Sequence, residues 1–323
     1  MPEPGLQSTD RTPLAAHVAL SRIRLRHLSC FVVVAQEPTL ARAAERLHLS
    51  QPAVSKTLSE LEDLAGRRLV ERGRAGSQLT TAGEQFLAYA VDVTRAMESA
   101  AAALTGAGTP SVTAVHVGAL PTAAGGLLAQ AIAQLRQRRP HAQVAVRTDH
   151  NAELLTALKS GEVDFAVARM AEPATMQGVS FELLYAESLA VVVQPRHPLA
   201  GGSGSAGRSV PARALLDYPL VIPGAGTAPR HQVDGFFEAH GIPLPAGRTE
   251  TQDASVARAL TLLSEAVWIT PRHAVQLDLD RGWLHGLSVP VPGGAEPVGL
   301  LARSGIAPSE LAIQLMEILR ELA

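Results

Sequence analysis

A single cysteine, Cys30, is all the thiol chemistry that the 323 residues contain. One thiol closes no internal disulfide, and with no second cysteine beside it there is no zinc knuckle. Its neighbour Phe31 and the valines that follow place it in an apolar run, so it reads as core. Long hydrophobic stretches are also missing: runs such as "CFVVVA" and "LAVVVQ" fall far short of the roughly 20 residues needed to cross a bilayer, so no membrane partner is expected. The opening "MPEPGLQSTDRTPLAAHVALSR" lacks a basic segment followed by a continuous apolar core. Residues 1–21 therefore read as a disordered extension rather than a secretory leader, and a cytoplasmic protein is expected. Catalytic signatures are absent as well. There is no G-x-S-x-G elbow and no P-loop, the "GAGT" at 224–227 lacks the third glycine of a dinucleotide fingerprint, and the eleven histidines are scattered. No enzymatic activity, cofactor or metal is expected.

What the chain does carry is an uneven distribution of charge. The net charge is only −2, yet residues 22–90 hold ten Lys or Arg against seven Asp or Glu, which leaves −5 for the remainder. A mildly basic module on a mildly acidic body suits a modular DNA-binding protein. The length and a hydrophobic content of 46% predict two or three units with their own cores.

The stretch "HLSQPAVSKTLSELE" predicts a helix with Ser50 as N-cap and Pro52 in the first turn. Val54, Leu58, Leu61 and Ala65 make one apolar stripe, while Gln51, Pro52, Ser55, Lys56 and Ser59 make a row of small or hydrogen-bonding side chains on the other side. Two helices precede it, with stripes of Leu25, Leu28, Phe31, Val32 and Ala35 and of Leu40, Ala43, Ala44 and Leu47, the second joined through only "HLS". This is a helix-turn-helix pattern. "GRRLVERGRAGSQLTTAGEQF" adds a short strand, a turn and a second strand, read as a wing. From Ala82 to Leu104 a proline-free, alanine-rich segment predicts a long linker helix suited to pairing with a second copy. "TGAGTPS" then breaks the chain near residue 108.

Beyond it, Val- and Ala-rich strands alternate with helix-length segments, predicting buried parallel strands in βαβ units arranged as two lobes. The boundaries expected are 22–81 for the winged helix-turn-helix, 82–108 for the linker and 109–323 for the body. Within the body, 109–188 with 290–323 would form one lobe and 189–289 the other. The segment "AGGSGSAG" at 200–207 reads as a flexible loop.

With these segments in order, residues 24–110 resemble the winged helix-turn-helix and linker helix of LysR-type transcriptional regulators, and the body matches as well. "LSQPAVS" at the start of the third helix, its Leu-Glu-Leu-Gly-like ending and the wing carry the resemblance. "RAAERLHLSQPAVSKTLSELE", "ERGRAGSQLTTAGEQFL" and "RMAEPATMQGVSFELLYAESL" are similar, more narrowly, to regulators of protocatechuate catabolism. The resemblance implies an α/β fold in which a winged helix-turn-helix and linker helix precede a two-lobed, periplasmic-binding-protein-like effector domain. It also implies homodimers or tetramers on an interrupted inverted repeat of double-stranded DNA, contact with RNA polymerase, and an aromatic-degradation effector with two or three carboxylates.

On the DNA side, Gln51 presents donor and acceptor to adenine, Pro52 an apolar surface to a thymine methyl, Ser55 either kind of edge, and Lys56 a cation to guanine or phosphate. Thr39, Arg42, Arg72 and Arg74 are placed for phosphates or the minor groove. On the ligand side, strand-to-helix turns at Pro121 and Thr122 and at Thr227 put a hydroxyl at the expected helix cap, where free N–H groups favour an anion; an ordinary cap is the alternative. Arg169 and Arg230 would grip carboxylates or simply form structural ion pairs. The family resemblance adds Thr251 and Ser255 as lining residues. A regulator with a non-aromatic or sugar-like effector, and an α/β binding protein with no regulatory role, remain the alternatives.

Overall fold

The computed structural model describes residues 22–73, 76–104, 114–203, 209–291 and 294–323, so the expectations for residues 1–21 and for Arg74 lie outside the described residues. The chain divides near Val112 into two compact units.

In the first unit, helices α1 (Leu25–Gln36), α2 (Leu40–Leu47) and α3 (Gln51–Ala65) enclose one core. The Thr39 hydroxyl caps α2 by accepting from the Arg42 N–H at 3.3 Å, and Ser50 caps α3 by accepting from Ala53 N–H at 3.4 Å. Between the two helices His48 sits at φ 54°, and this left-handed residue reverses the chain within three positions. Phe31, Ala43, Val54, Leu58 and Leu61 are fully buried, the alanine letting α3 approach α2 closely.

Two stripes differ from expectation at their ends. Leu25 is exposed on α1 while Cys30 and Val34 are buried, and on α3 Ala65 is exposed while Glu62 is buried. The reason at Glu62 is a local hydrogen-bond demand. Its carboxylate accepts from the N–H groups of Leu69 (2.8 Å) and Val70 (3.1 Å) and pairs with Arg68 at 3.1 Å, tying the wing to α3.

The wing itself is the antiparallel pair β1 (Val70–Gly73) and β2 (Gly76–Leu79). The linker helix α4 (Thr81–Leu104) starts one residue earlier than predicted because the Thr80 hydroxyl accepts from Gly83 N–H at 3.0 Å. One face of α4 buries Leu87, Ala90 and Val91; Tyr89, Val93 and Met97 form an exposed apolar row four residues apart.

The body contains two five-stranded sheets. The first has the order β4–β3–β5–β12–β6, from β3 (Ala114–Ala119), β4 (Gln143–Thr148), β5 (Phe165–Arg169), β6 (Val179–Glu187) and β12 (Glu296–Arg303). It is flanked by α5, which runs from Pro121–Ala123 through a π-helical segment at Ala124–Leu128 into Ala129–Arg138, and by α6 (Asn151–Lys159) and α10 (Glu310–Leu322). The second sheet has the order β11–β7–β10–β8–β9, from β7 (Leu189–Val193), β8 (Leu220–Ile222), β9 (Arg248–Glu250), β10 (Val267–Pro271) and β11 (His285–Gly286). Helices α7 (Ala228–Ala239), α8 (Ala254–Leu263) and α9 (Gln276–Asp280) belong to it.

The prediction of parallel strands holds for β3 with β4 and β5 and for β8 with β9 and β10. It fails for β6, β7, β11 and β12, which pair antiparallel. The cause is the path between lobes: β6 passes through the single residue Ser188 into β7, and β12 returns from the second lobe to run between β5 and β6. Strand composition alone carries no record of that return. Ala200–Ser203, expected as loop, forms a helical turn.

Candidate functional site

The exposed side of α3 is built by the burial of its other side. With Val54, Leu58 and Leu61 in the core, Gln51, Pro52 and Lys56 project into solvent and Ser55 is half-buried beside them. The structure therefore brings these four residues together on one helix face. Thr39 and Arg42 lie at the start of α2, both exposed; the Thr39 hydroxyl already serves as cap, and Arg42 pairs with Glu45 at 3.0 Å. Arg72 lies on β1 in register with Ser77.

In the body, a cavity of about 580 Å³ opens between the two sheets at the C-terminal ends of β3, β5, β8 and β10, the position expected for ligands in open α/β folds. The N-termini of α6, α7 and α8 and the first turn of α5 line it. Unpaired backbone N–H groups and the positive helix ends make this a favourable place for negative charge.

Of the expected ligand residues, Pro121, Thr122, Arg169, Thr227 and Thr251 line the cavity. Their roles differ. Leu120, not Thr122, is the residue preceding the first helical turn, so the Thr122 hydroxyl lies within the turn and caps nothing. Thr227 is a true cap: its hydroxyl accepts from Arg230 N–H at 3.3 Å and donates to the Gly224 carbonyl at 2.8 Å. The Thr251 hydroxyl accepts from Asp253 N–H at 3.1 Å.

Arg230 and Ser255 do not line the cavity. Arg230 is buried against Asp234 (2.7 Å), Glu250 (2.9 Å) and the Pro223 carbonyl, and those carboxylates hold its guanidinium above its usual pKa. It is a structural ion-pair residue, its side chain following the i, i+4 geometry of α7 instead of turning to the cavity. The Ser255 hydroxyl donates to Asp253, the cap of α8, and is consumed there.

Arg169, at the end of β5, is nine-tenths buried and pairs with Glu296 at 2.8 Å. The Asn151 side-chain amide brackets its backbone, accepting from the N–H at 2.8 Å and donating to the carbonyl at 3.1 Å. Among the described residues the Arg169 Nη2 has no hydrogen-bond partner. The sequence held no reason to place Asn151, Gln252, Thr270 or Trp268 in the lining, where the structure puts all four. Trp268 is both, buried to 4% exposure and lining the cavity. Only "HNAE", with an Asn ahead of a helical segment, offered a local signal for Asn151.

The two lobes are also clasped by residues outside the cavity lining. Glu187, fully buried at the end of β6, accepts from both the backbone N–H (3.2 Å) and Nδ1 (3.1 Å) of His273 in the second lobe, and the Tyr185 ring stacks on that imidazole with centroids 3.7 Å apart. Burial, followed by the nearby Glu187 charge, pushes the Tyr185 phenol well above its ordinary pKa. A Cβ at Gly126 would approach the His273 carbonyl oxygen to 2.6 Å, so glycine is required where α5 meets this junction.

Residues 25–84 match the bacterial regulatory helix-turn-helix proteins of the lysR family, and residues 110–323 match the LysR substrate binding domain. The chain belongs to the LysR family. It is thus a DNA-binding transcriptional regulator with an effector-binding domain. An uncharacterized HTH-type transcriptional regulator of Escherichia coli, YdcI, is 46% identical over 282 residues, covering 87% of this chain and 90% of that protein. The LysR-family resemblance extends to the HTH-type transcriptional regulator PcaQ of Agrobacterium fabrum, 37% identical over 302 residues with 94% and 96% coverage. Among solved structures, a full-length OxyR variant from Pseudomonas aeruginosa superposes with a TM-score of 0.60 at 25% identity, covering 94% of this chain and 96% of that one. No helix among the described residues is long and apolar enough to cross a membrane.

Proposed function

We propose that this LysR-type regulator responds to a small carboxylate held between the two lobes of its body and controls aromatic-acid catabolism at the protocatechuate branch. The observation that carries the ligand reading is the cavity itself, with helix N-termini and the buried Arg169 at its wall. The pathway reading is supported by the 37% identity to PcaQ. A thiol-based response is disfavoured: Cys30 lies in the α1 core, and burial pushes its thiol up to about 11, which keeps it protonated and unreactive.

In this reading the regulator is cytoplasmic, carries out no catalysis, and acts with RNA polymerase at a promoter. It works as a homodimer or homotetramer on an interrupted inverted repeat, with Gln51, Pro52, Ser55 and Lys56 reading bases. One helix supplies only ~1–3 kcal/mol of discrimination per good contact, so more than one copy is needed to select a site. The exposed row of Tyr89, Val93 and Met97 on α4 gives a second copy an apolar surface to cover. Ligand binding changes the angle between lobes and thereby the DNA bend. Thermal melting of the full chain with protocatechuate, muconate and carboxymuconate tests the pathway, since a ligand present at 100 times its Kd stabilises the folded state by about 2.7 kcal/mol. No rise with any of them, while promoter DNA still binds, removes the protocatechuate assignment.

A further inference from the structure

The charge inventory of the cavity narrows the ligand, on the reading that the cavity is the effector site. Among the described lining residues Arg169 is the sole Arg or Lys, and Glu296 already shares it. Glu153 and Asp253 line the same cavity with negative charge. The N-termini of α5, α6, α7 and α8, at about half a unit of positive charge each, offset those two carboxylates. What is left to face an incoming anion is the guanidinium that Glu296 shares and the imidazole of His150, which also lines the cavity. Two or three carboxylates on one ligand would outnumber the one permanent cation of a site partly closed to water, at a cost Arg169 does not cover.

The hydrogen-bonding groups point the same way. Asn151, Thr227 and Thr251 are committed to the backbone. Thr122, Gln252 and Thr270 also line the cavity, and among the described residues their side chains take part in no hydrogen bond. Neutral hydroxyls and an amide of this kind pair with neutral hydroxyl groups on a ligand. Trp268 and Ala257 supply an apolar wall for its body.

We propose that the effector is a hydroxylated monocarboxylate, its carboxylate meeting Arg169 and its hydroxyls meeting Thr122, Gln252 and Thr270, and not the di- or tricarboxylate that the family resemblance implies. Such chemistry is shared by hydroxylated aromatic acids and sugar acids, and the test separates them. Calorimetric titration of the full chain would use protocatechuate, gluconate, muconate and carboxymuconate as probes. The expected result is binding of protocatechuate or gluconate, with muconate and carboxymuconate at least tenfold weaker.

Thr122→Val and Thr270→Val, which keep side-chain shape, should each weaken that binding about tenfold with little change in melting temperature. The double change Arg169→Gln with Glu296→Gln, which leaves no buried charge unpaired, should abolish it. Binding of gluconate alone supports the ligand class and overturns the protocatechuate branch; binding of protocatechuate supports both. Tightest binding of carboxymuconate overturns the ligand class and leaves the branch standing, whereas tightest binding of muconate, which lacks the protocatechuate carboxylate, overturns both. Failure of all four probes overturns both.

Discussion

The DNA-reading face of α3 and the ligand cavity meet the same need, a set of polar side chains held still, by opposite means. On α3 the four base-reading candidates lie within six consecutive residues, and a single buried stripe orients all of them. The cavity draws its wall from residues spread between Leu120 and Pro271, on two sheets, with helix starts and strand ends aimed at one space. A site carried on one helix depends on the core beneath that helix. A site assembled from many elements depends on how those elements dock, and several of its polar groups are spent on docking: Asn151 on the Arg169 backbone, Thr227 on the start of α7.

The comparison breaks most sharply at two glycines. A Cβ at Gly83 would overlap the Leu69 carbonyl oxygen, and one at Gly299 would overlap that of Glu182. Each Gly→Ala substitution should destabilise its own unit by about 3 kcal/mol. Gly83→Ala is expected to abolish operator binding while calorimetric ligand binding persists, and Gly299→Ala to do the reverse. Loss of both activities in either variant would show that the two units melt together.

A smaller effect separates base reading from charge. Gln51→Ala should lose about 2 kcal/mol of discrimination between the operator and a scrambled duplex, with an unchanged salt slope. Arg42→Ala should weaken both duplexes alike and lower the salt slope by about 1. Fluorescence anisotropy over a salt series reads both, and identical behaviour of the two variants would contradict the division of roles.

Within the body, Thr227→Ala should cost about 1 kcal/mol as a lost helix cap, read by denaturant unfolding. A larger loss of ligand affinity than of stability would show that the hydroxyl also touches the ligand.

The smallest effect is at Asp253. The Ser255 hydroxyl, the Ser255 N–H and the Val256 N–H hold its carboxyl below the usual aspartate range. A depressed folded-state pKa contributes stability above the ordinary aspartate value, and that contribution fades as pH falls through the folded one. The melting-temperature gap between the native chain and Asp253→Ala should therefore be flat from neutral pH to mild acid and close below about pH 4. A gap that persists in stronger acid would mean that the side chain caps equally well when protonated.

Much of the first unit was legible without coordinates because its signals are local. Ser50 and Pro52 mark the start of α3, "HLS" is too short for anything but a tight turn, and Val54, Leu58 and Leu61 repeat at helical spacing. The exception, Glu62 in place of Ala65, arose from N–H groups seven and eight residues further along, which no periodicity records.

In the body, the helix start at Thr227 and the apolar strands could be placed, and Pro121, Thr122, Arg169, Thr227 and Thr251 did reach the cavity. The sequence by itself determined the order of elements, the caps and the exposed face of α3, all consequences of neighbours within a few turns. Only the tertiary structure decided that β12 and β6 run antiparallel, that Arg230 turns to Asp234 and Glu250 while Arg169 faces the cavity, and that His273 docks on Glu187 and Tyr185. Each of these depends on pairing between residues far apart in the chain, and a side chain of a given type carries no local mark of which distant partner will satisfy its charge.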